Sequence, residues 1–246
     1  MTARLLAHYR MQGKLIAVHG HNEQRAADSI VEQLARGKTV ALVTDAGTPA
    51  ISDPGATVVK KARAAGVKVV PIPGPNAAVT ALSAAGIVDG AFLFAGFLPA
   101  KPGPRRKALE RLGTLPYTLV FYEAPHRVVE CAEDMSTALG PERVLVIARE
   151  LTKLFEQIHR CRLGEAAAWL REDTDRQRGE FVLIAEGNAA RRESAKLDWE
   201  RVLTTLLAEL PLAHAVKLAC ELTGAKKNVV YARALQLARA ATARRS

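Results

Sequence analysis

Two periods of apolar residues alternate along this chain. Short apolar runs at 15–19, 40–43, 67–70 and 92–95 predict strands. Between them apolar residues recur at spacings of three and four, as at Ala26, Ala27, Ile30, Val31 and Leu34, which predicts helices. Asn22 stands where it can cap the first of these helices and Gly37 where it can close it. A short helix opens the chain. Strand, helix, strand is the βαβ pattern and implies a parallel sheet.

The segment 96–106, GFLPAKPGPRR, holds three prolines, two glycines and three cations, and breaks both periods. It marks a boundary. Beyond it strands are predicted at 118–122, 144–148, 158–162 and 181–185, with helices at 105–112, 126–139 and 164–171. Connections of uneven length favour a mixed sheet there. A polar stretch at 187–196 leads to a helical tail, where Trp199, Val202, Leu203, Leu206, Leu207 and Leu210 keep helical spacing. Helices at 213–222 and 228–239 follow, separated by Gly224. The expected parts are an α/β domain over 1–95, a second over 96–187, and a basic linker with a helical module over 188–246.

Of the 246 residues, 49% are hydrophobic and 24% charged, which is globular usage. The formal charge is +10, and residues 190–246 carry eleven cations against five acids. Such a field favours a polyanion, an anionic membrane surface or an acidic substrate. Cys131, Cys161 and Cys220 form neither a CxxC nor an even set, so a disulfide framework and a zinc knuckle are unsupported. The longest apolar stretch, 91–100, is half the roughly 20 residues a membrane helix needs. With no secretory signal at the start either, a reducing cytoplasmic setting is expected.

The chemistry concentrates at strand ends. TDAGTPAISDPG, residues 44–55, lies between a predicted strand and a helix, where open α/β folds bind ligands. Its twelve residues exceed an ordinary βα connection of about two to six. Gly47, Pro49, Pro54 and Gly55 hold its backbone open to a ligand. PIPGPN, residues 71–76, is a second rigid loop, with Asn76 placed to cap the next helix. Together they predict a crevice.

Tyr122, Glu123, His126 and Arg127 in FYEAPHR, and Lys153 in RELTK with Glu156 beyond it, gather titratable groups at two further strand ends. His19, His21 and Glu23 alternate at period two, but a structural zinc site wants four ligands and no second cluster is near, so no metal is assigned. Gly37-Lys38-Thr39 lacks the first glycine of a P-loop, and neither GxGxxG nor GxSxG occurs.

TDAGTPAISDPG, IPGPNAAVTALSAAG, LVFYEAPHR, RELTK and GEFVLIAEG, in this order, resemble the tetrapyrrole methylase superfamily. Within it the chain resembles the ribosomal RNA small subunit methyltransferase I family, the ribose 2′-O-methyltransferases of a 16S RNA cytidine; HNE at 21–23 and LTGAKKNVVY in the tail extend the match. The resemblance implies two α/β domains with S-adenosylmethionine in the cleft between them. It places cofactor contacts at Thr48, Ile51, Asn76, Ala77, Tyr122, Glu123 and Phe181. It also implies a homodimer. Asn76 stands where serine is commoner, and both can cap a helix.

Family members begin with a strand, a PIGNLxD loop, a helix and a strand ending in EDTR, about forty residues ahead of the equivalent of Arg4-Leu5-Leu6, and lack of that strand predicts exposed apolar faces and unpaired edges. Methyl transfer to a ribose hydroxyl needs alignment and a base; Glu123 and His126 are the candidates. Arg127, Lys153, Lys226 and Lys227 are expected to meet small-subunit RNA, the last two at the start of a tail helix. Rival expectations are a truncated, noncatalytic RNA-binding protein of the same fold and a methyltransferase acting on a tetrapyrrole.

Overall fold

The computed structural model describes residues 2–87 and 90–243, and their side chains except over 189–198 and 238–243. One five-stranded sheet organises the centre: β1 Phe92–Phe97, β2 Thr118–Glu123, β3 Val144–Arg149, β4 Gln157–Arg162 and β5 Phe181–Ala185. The order is β1-β2-β5-β3-β4, with β1 parallel to β2 and the other neighbours antiparallel. This is the mixed sheet expected of the second half. The inner strands TLVFYE, VLVIAR and FVLIA are apolar at nearly every position because both faces are covered. Edge strand β4, QIHRCR, alternates half-buried with exposed residues instead.

On one face Leu119, Phe121, Leu145, Ile147 and Leu183 pack against α5 (Pro102–Gly113), α6 (Val128–Leu139) and α7 (Leu163–Arg171). On the other, Val120, Val146, Ala148, Val182 and Ile184 meet α4 (Ala77–Ala84) through Ala78, Ala81 and the following Ala85. Alanines let that helix lie close to the sheet. Because β1 pairs with β2, the sheet begins at Phe92, ahead of the proline-rich segment at which the sequence marks a boundary. A bulge between Phe94 and Gly96, with Gly96 at φ 66°, re-aims the end of β1.

The N-terminal third holds α1 (Thr2–His8), α2 (Glu23–Ala35), α3 (Ala56–Ala64) and α4. Ala27, Ile30 and Val58 form its small core, flanked by Ile16 and Val18. The runs at 15–19, 40–43 and 67–70 are not strands. They stay outside any ladder among the described residues, and Leu15, Val40, Val43 and Val70 are exposed. An apolar run becomes a strand when a neighbour takes its amides and carbonyls, and periodicity alone cannot supply that neighbour. Asn22 does not cap α2 either: its side chain accepts from the His19 amide at 2.8 Å and donates to the Ala17 carbonyl, stitching the turn before the helix.

The tail folds as three helices, α8 (Ala189–Glu209), α9 (Leu212–Thr223) and α10 (Lys227–Ala243). Their core is Leu203, Ala215, Val216, Ala219, Val230 and Ala234. Gly224, at φ 69°, ends α9 in the left-handed conformation and turns the chain into α10.

Candidate functional site

The loop 44–55 is closed at its base by the Thr44 hydroxyl, which donates to Asp53 at 3.0 Å. Gly55, at φ 133°, leads into α3, and a Cβ there would lie 2.8 Å from Leu42. The amides of Gly55 and Thr57 both donate to Glu23 Oε1, at 2.8 and 2.9 Å. Those amides, Thr57 foremost, hold the Glu23 carboxyl below its ordinary range. Within the loop Ala50 and Ser52 adopt positive φ, 68° and 58°, on either side of Ile51.

The second loop is tied to the first, since Thr48 donates to the Pro75 carbonyl at 3.1 Å. Asn76 caps α4 as expected, accepting from the amides of Ala78 and Val79 at 3.0 and 3.2 Å. Tyr122 reaches across from β2, and its hydroxyl oxygen accepts from the same Ala78 amide at 3.3 Å. Its ring meets Phe94 and Phe97 edge-on, at 4.8 and 5.7 Å. Burial pushes the Tyr122 hydroxyl above its ordinary value against the pull of the Ala78 amide, and the Asp53 carboxylate adds to the rise. Tyr122 therefore stays protonated and presents a donor.

These groups surround a cleft of about 260 Å³ between the N-terminal helices and the sheet. Thr48, Ile51, Asn76, Ala77, Tyr122, Glu123 and Phe181, the residues assigned to a cofactor from the resemblance, all line it. Ser52, Asp53, Phe97, Leu151 and Glu180 line it as well. Sequence reasoning did not single these out, although Asp53 lies inside the flagged loop and Leu151 inside RELTK. Leu151 is flanked, like Ile51, by positive-φ residues: Glu150 at 50° and Thr152 at 65°. An apolar side chain held between two left-handed residues thus enters the cleft from each side.

The candidate bases are placed less simply. Period two sends Glu123 to the face opposite Tyr122, toward α6. There Glu123 Oε1 accepts from Arg127 Nε at 2.9 Å, from its Nη2 at 2.5 Å, and from the Ala124 amide at 2.8 Å. Its side chain is fully buried, and among the described residues Oε2 has no partner in hydrogen-bond geometry. Burial, with the neighbouring Glu123, pushes the Cys131 thiol well up. His126 is exposed and does not line the cleft.

Lys153 donates to Glu150 at 2.8 Å and to Glu180 at 3.1 Å, which raises its ammonium and lowers the Glu150 carboxyl. Lys226, just before α10, and Lys227, its first residue, are exposed, far along the chain from the cleft loops. The rings of His19 and His21 lie 6.2 Å apart, but Glu23 is committed to α3; among the described residues no group of three such side chains could hold a metal.

The family model "Tetrapyrrole (Corrin/Porphyrin) Methylases" matches residues 3–167, and the "RsmI C-terminal HTH domain" matches residues 193–238. Ribosomal RNA small subunit methyltransferase I of Escherichia coli O157:H7 is 49% identical over 96% of this chain and 82% of its own length. The Neisseria meningitidis serogroup B protein of that name is 42% identical over 96% of this chain and 81% of its own. Among solved structures, the cobalt precorrin-4 methyltransferase CbiF aligns with a TM-score of 0.53 at 18% identity, covering 72% of this chain and 77% of that one. Uroporphyrin-III C-methyl transferase from Thermus thermophilus, complexed with S-adenyl homocysteine, aligns with a TM-score of 0.50 at 21% identity, covering 74% and 80%. These two share the fold. By its matched domains and its relatives, the chain belongs to the tetrapyrrole methylase family and, within it, to the ribosomal RNA small subunit methyltransferase I family.

Proposed function

We propose that this chain transfers a methyl group from S-adenosylmethionine to the ribose 2′-hydroxyl of a cytidine in small-subunit (16S) ribosomal RNA. The observation that carries the reading is the cleft itself, where two rigid loops and a strand end gather all seven residues named for the cofactor. Its lining suits that ligand. Ile51, Phe97 and Leu151 offer apolar surface to a flat base, while the Asp53 carboxylate suits a positively charged group. When bound, the cofactor supplies a methyl group on a sulfonium carbon, open to in-line displacement.

The chain's own part is alignment, exclusion of water and removal of one proton. Thr48 locks the two loops together, and Asn76 with Tyr122 fixes the start of α4, so the cleft backbone is held before ligand arrives. In this reading Glu123 is a positioning residue whose bond to Arg127 fixes the turn after β2. His126, outside the cleft, is not assigned to the proton either. Asp53 has no cationic partner among the described residues and is the acceptor assigned to the ribose proton.

Ion pairing of Arg127 and Lys153 leaves RNA contact chiefly to the tail, where Lys226 and Lys227 stand at a helix N-terminus inside the region matched as a helix-turn-helix domain. Three free thiols support a cytoplasmic enzyme, and no helix among the described residues is long and apolar enough to cross a membrane. Exposed Leu154 and Phe155, on the loop after β3, support a homodimer interface.

Calorimetric titration with S-adenosylhomocysteine tests the cleft, and labelled methyl transfer to small ribosomal subunits tests the reaction. Binding together with a 2′-O-methylated cytidine is the expected result. Binding without transfer to RNA favours the noncatalytic reading, and label entering a tetrapyrrole instead overturns the substrate.

A further inference from the structure

The basic, proline-rich segment that marks a boundary in the sequence leads into α5, a helix with two defined ends. At its start, Phe97 lines the cleft, and Lys101 at the helix N-cap is four residues further on. At its end, the Gly113 carbonyl accepts from the Asn188 side chain at 3.1 Å, and α8 of the tail begins at the next residue, Ala189. The helix therefore runs from the cleft rim to the root of the tail.

Its charges are sorted by face. Arg105 is 1% exposed and is spent on structure, with Nε on Asp134 at 2.6 Å, Nη1 on the Ala100 carbonyl at 3.3 Å and Nη2 on Glu130 at 3.5 Å. Arg106 is paired with the same Asp134 at 3.1 Å. Lys107 and Arg111 are exposed, share one flank at i and i+4, and have no ion-pair partner among the described residues. Lys101 is likewise exposed, with no ion-pair partner among the described residues. Leu109, fully buried, and the Arg105 anchors hold the helix rigidly against α6.

We infer that α5 is a rail for a single-stranded RNA segment, with Lys101, Lys107 and Arg111 contacting successive parts of its phosphate backbone between the tail and the cleft. Twelve residues of helix span about 18 Å, room for roughly five stacked nucleotides at about 3.4 Å each. A rail solves a problem of reach. A tail that docks RNA away from the reacting atoms needs a path that delivers the target ribose, and a fixed row of cations supplies it without reading sequence. The inference rests on the RNA-methylating reading above.

The test uses the full chain and a fluorescent single-stranded RNA of about twenty nucleotides, titrated between low and moderate salt. The variants are Lys107→Ala with Arg111→Ala, the charge reversal Lys107→Glu with Arg111→Glu, and a charge-matched control, Lys60→Ala with Lys68→Ala, on and beyond α3. All four residues are exposed, and thermal melts check that each variant folds. Loss of two phosphate contacts should flatten the salt slope by about 1.4 and weaken binding about 25-fold at about 0.1 M salt, and reversal should weaken it further. The control and the affinity for S-adenosylhomocysteine should not move. If the α5 double variant keeps the wild-type slope, or the control loses as much, the rail is wrong while the methylating reading stands. If wild-type chain binds no RNA, both fail together.

Discussion

The Tyr122 hydroxyl and the Ala78 amide meet at 3.3 Å, joining the end of a central strand to the first turn of α4, whose start lines the cleft. Ala78 donates at the same time to Asn76 at 3.0 Å, so one amide is shared between a local cap and a distant strand. The end of β2 and the cap of α4 are therefore one hydrogen-bonded unit.

Tyr122→Phe removes the distant acceptor and keeps the local one. Stability should fall by about 0.5–1.5 kcal/mol. Cofactor affinity should fall with it because the cleft loses a donor. Thermal unfolding and calorimetry on the same samples check this, and an unchanged affinity would leave Tyr122 with a packing role alone.

Arg127→Ala strands a buried carboxylate and should cost about 3–5 kcal/mol. Adding Glu123→Gln removes the charge that was stranded, so the double variant should recover much of that loss. Glu123→Gln alone should leave the pH profile of turnover unchanged, as befits a positioning residue; a displaced profile would restore Glu123 as the base.

Asp53→Asn keeps the volume and the acceptor for Thr44 but withdraws the carboxylate. Turnover should drop by about 10²–10⁴-fold at saturating cofactor, with the S-adenosylhomocysteine dissociation constant within a few-fold of wild type. A loss confined to cofactor affinity would move Asp53 from proton acceptor to cofactor ligand.

Glu23 and Glu150 both titrate below their ordinary value of 4.5, Glu23 through the amides of Thr57 and Gly55, Glu150 through Lys153 and the Glu180 amide. Each binds protons more weakly folded than unfolded. Their contribution is complete above the ordinary carboxylate value and is lost as pH falls through the lowered one. Melting temperature should decline on acidification below about pH 4.5. Glu23→Gln should flatten that decline, which a pH series of thermal melts will register.

Gly179 sits at φ 92°, and a Cβ there would clash with Glu150 Cγ. Gly179→Ala should destabilise by more than about 1 kcal/mol and displace the loop that carries Leu151. A stability equal to wild type would mean that Glu150 swings aside at no cost.

The second half of the molecule was readable because its strands are buried on both faces and write that burial into continuous apolar runs; Phe181–Ala185 needed no correction. The first half was not, because 40–43 and 67–70 carry the same signal while no neighbouring strand pairs with them among the described residues. Asn76 behaved as its position indicates, but Asn22, with an equal claim to cap a helix, found better acceptors and donors in the turn behind it. In the cleft, FYEAPHR showed that titratable groups gather at a strand end. It could not show that the pleat turns Tyr122 and Glu123 to opposite sides, nor that Arg127 neutralises the carboxylate.

The left-handed residues beside Ile51 and Leu151 bear on how this protein can change. Glycine at position 50, 52, 150 or 152 would relieve about 1 kcal/mol of backbone strain at each site, offset in part by the wider freedom of glycine in the unfolded chain. Selection for heat resistance alone has reason to sample these four positions. Selection for turnover has reason to resist it, since the same strain fixes both apolar jaws of the cleft. The two lips are thus where durability and activity should pull in opposite directions, and where a thermostable descendant should show its lost efficiency first.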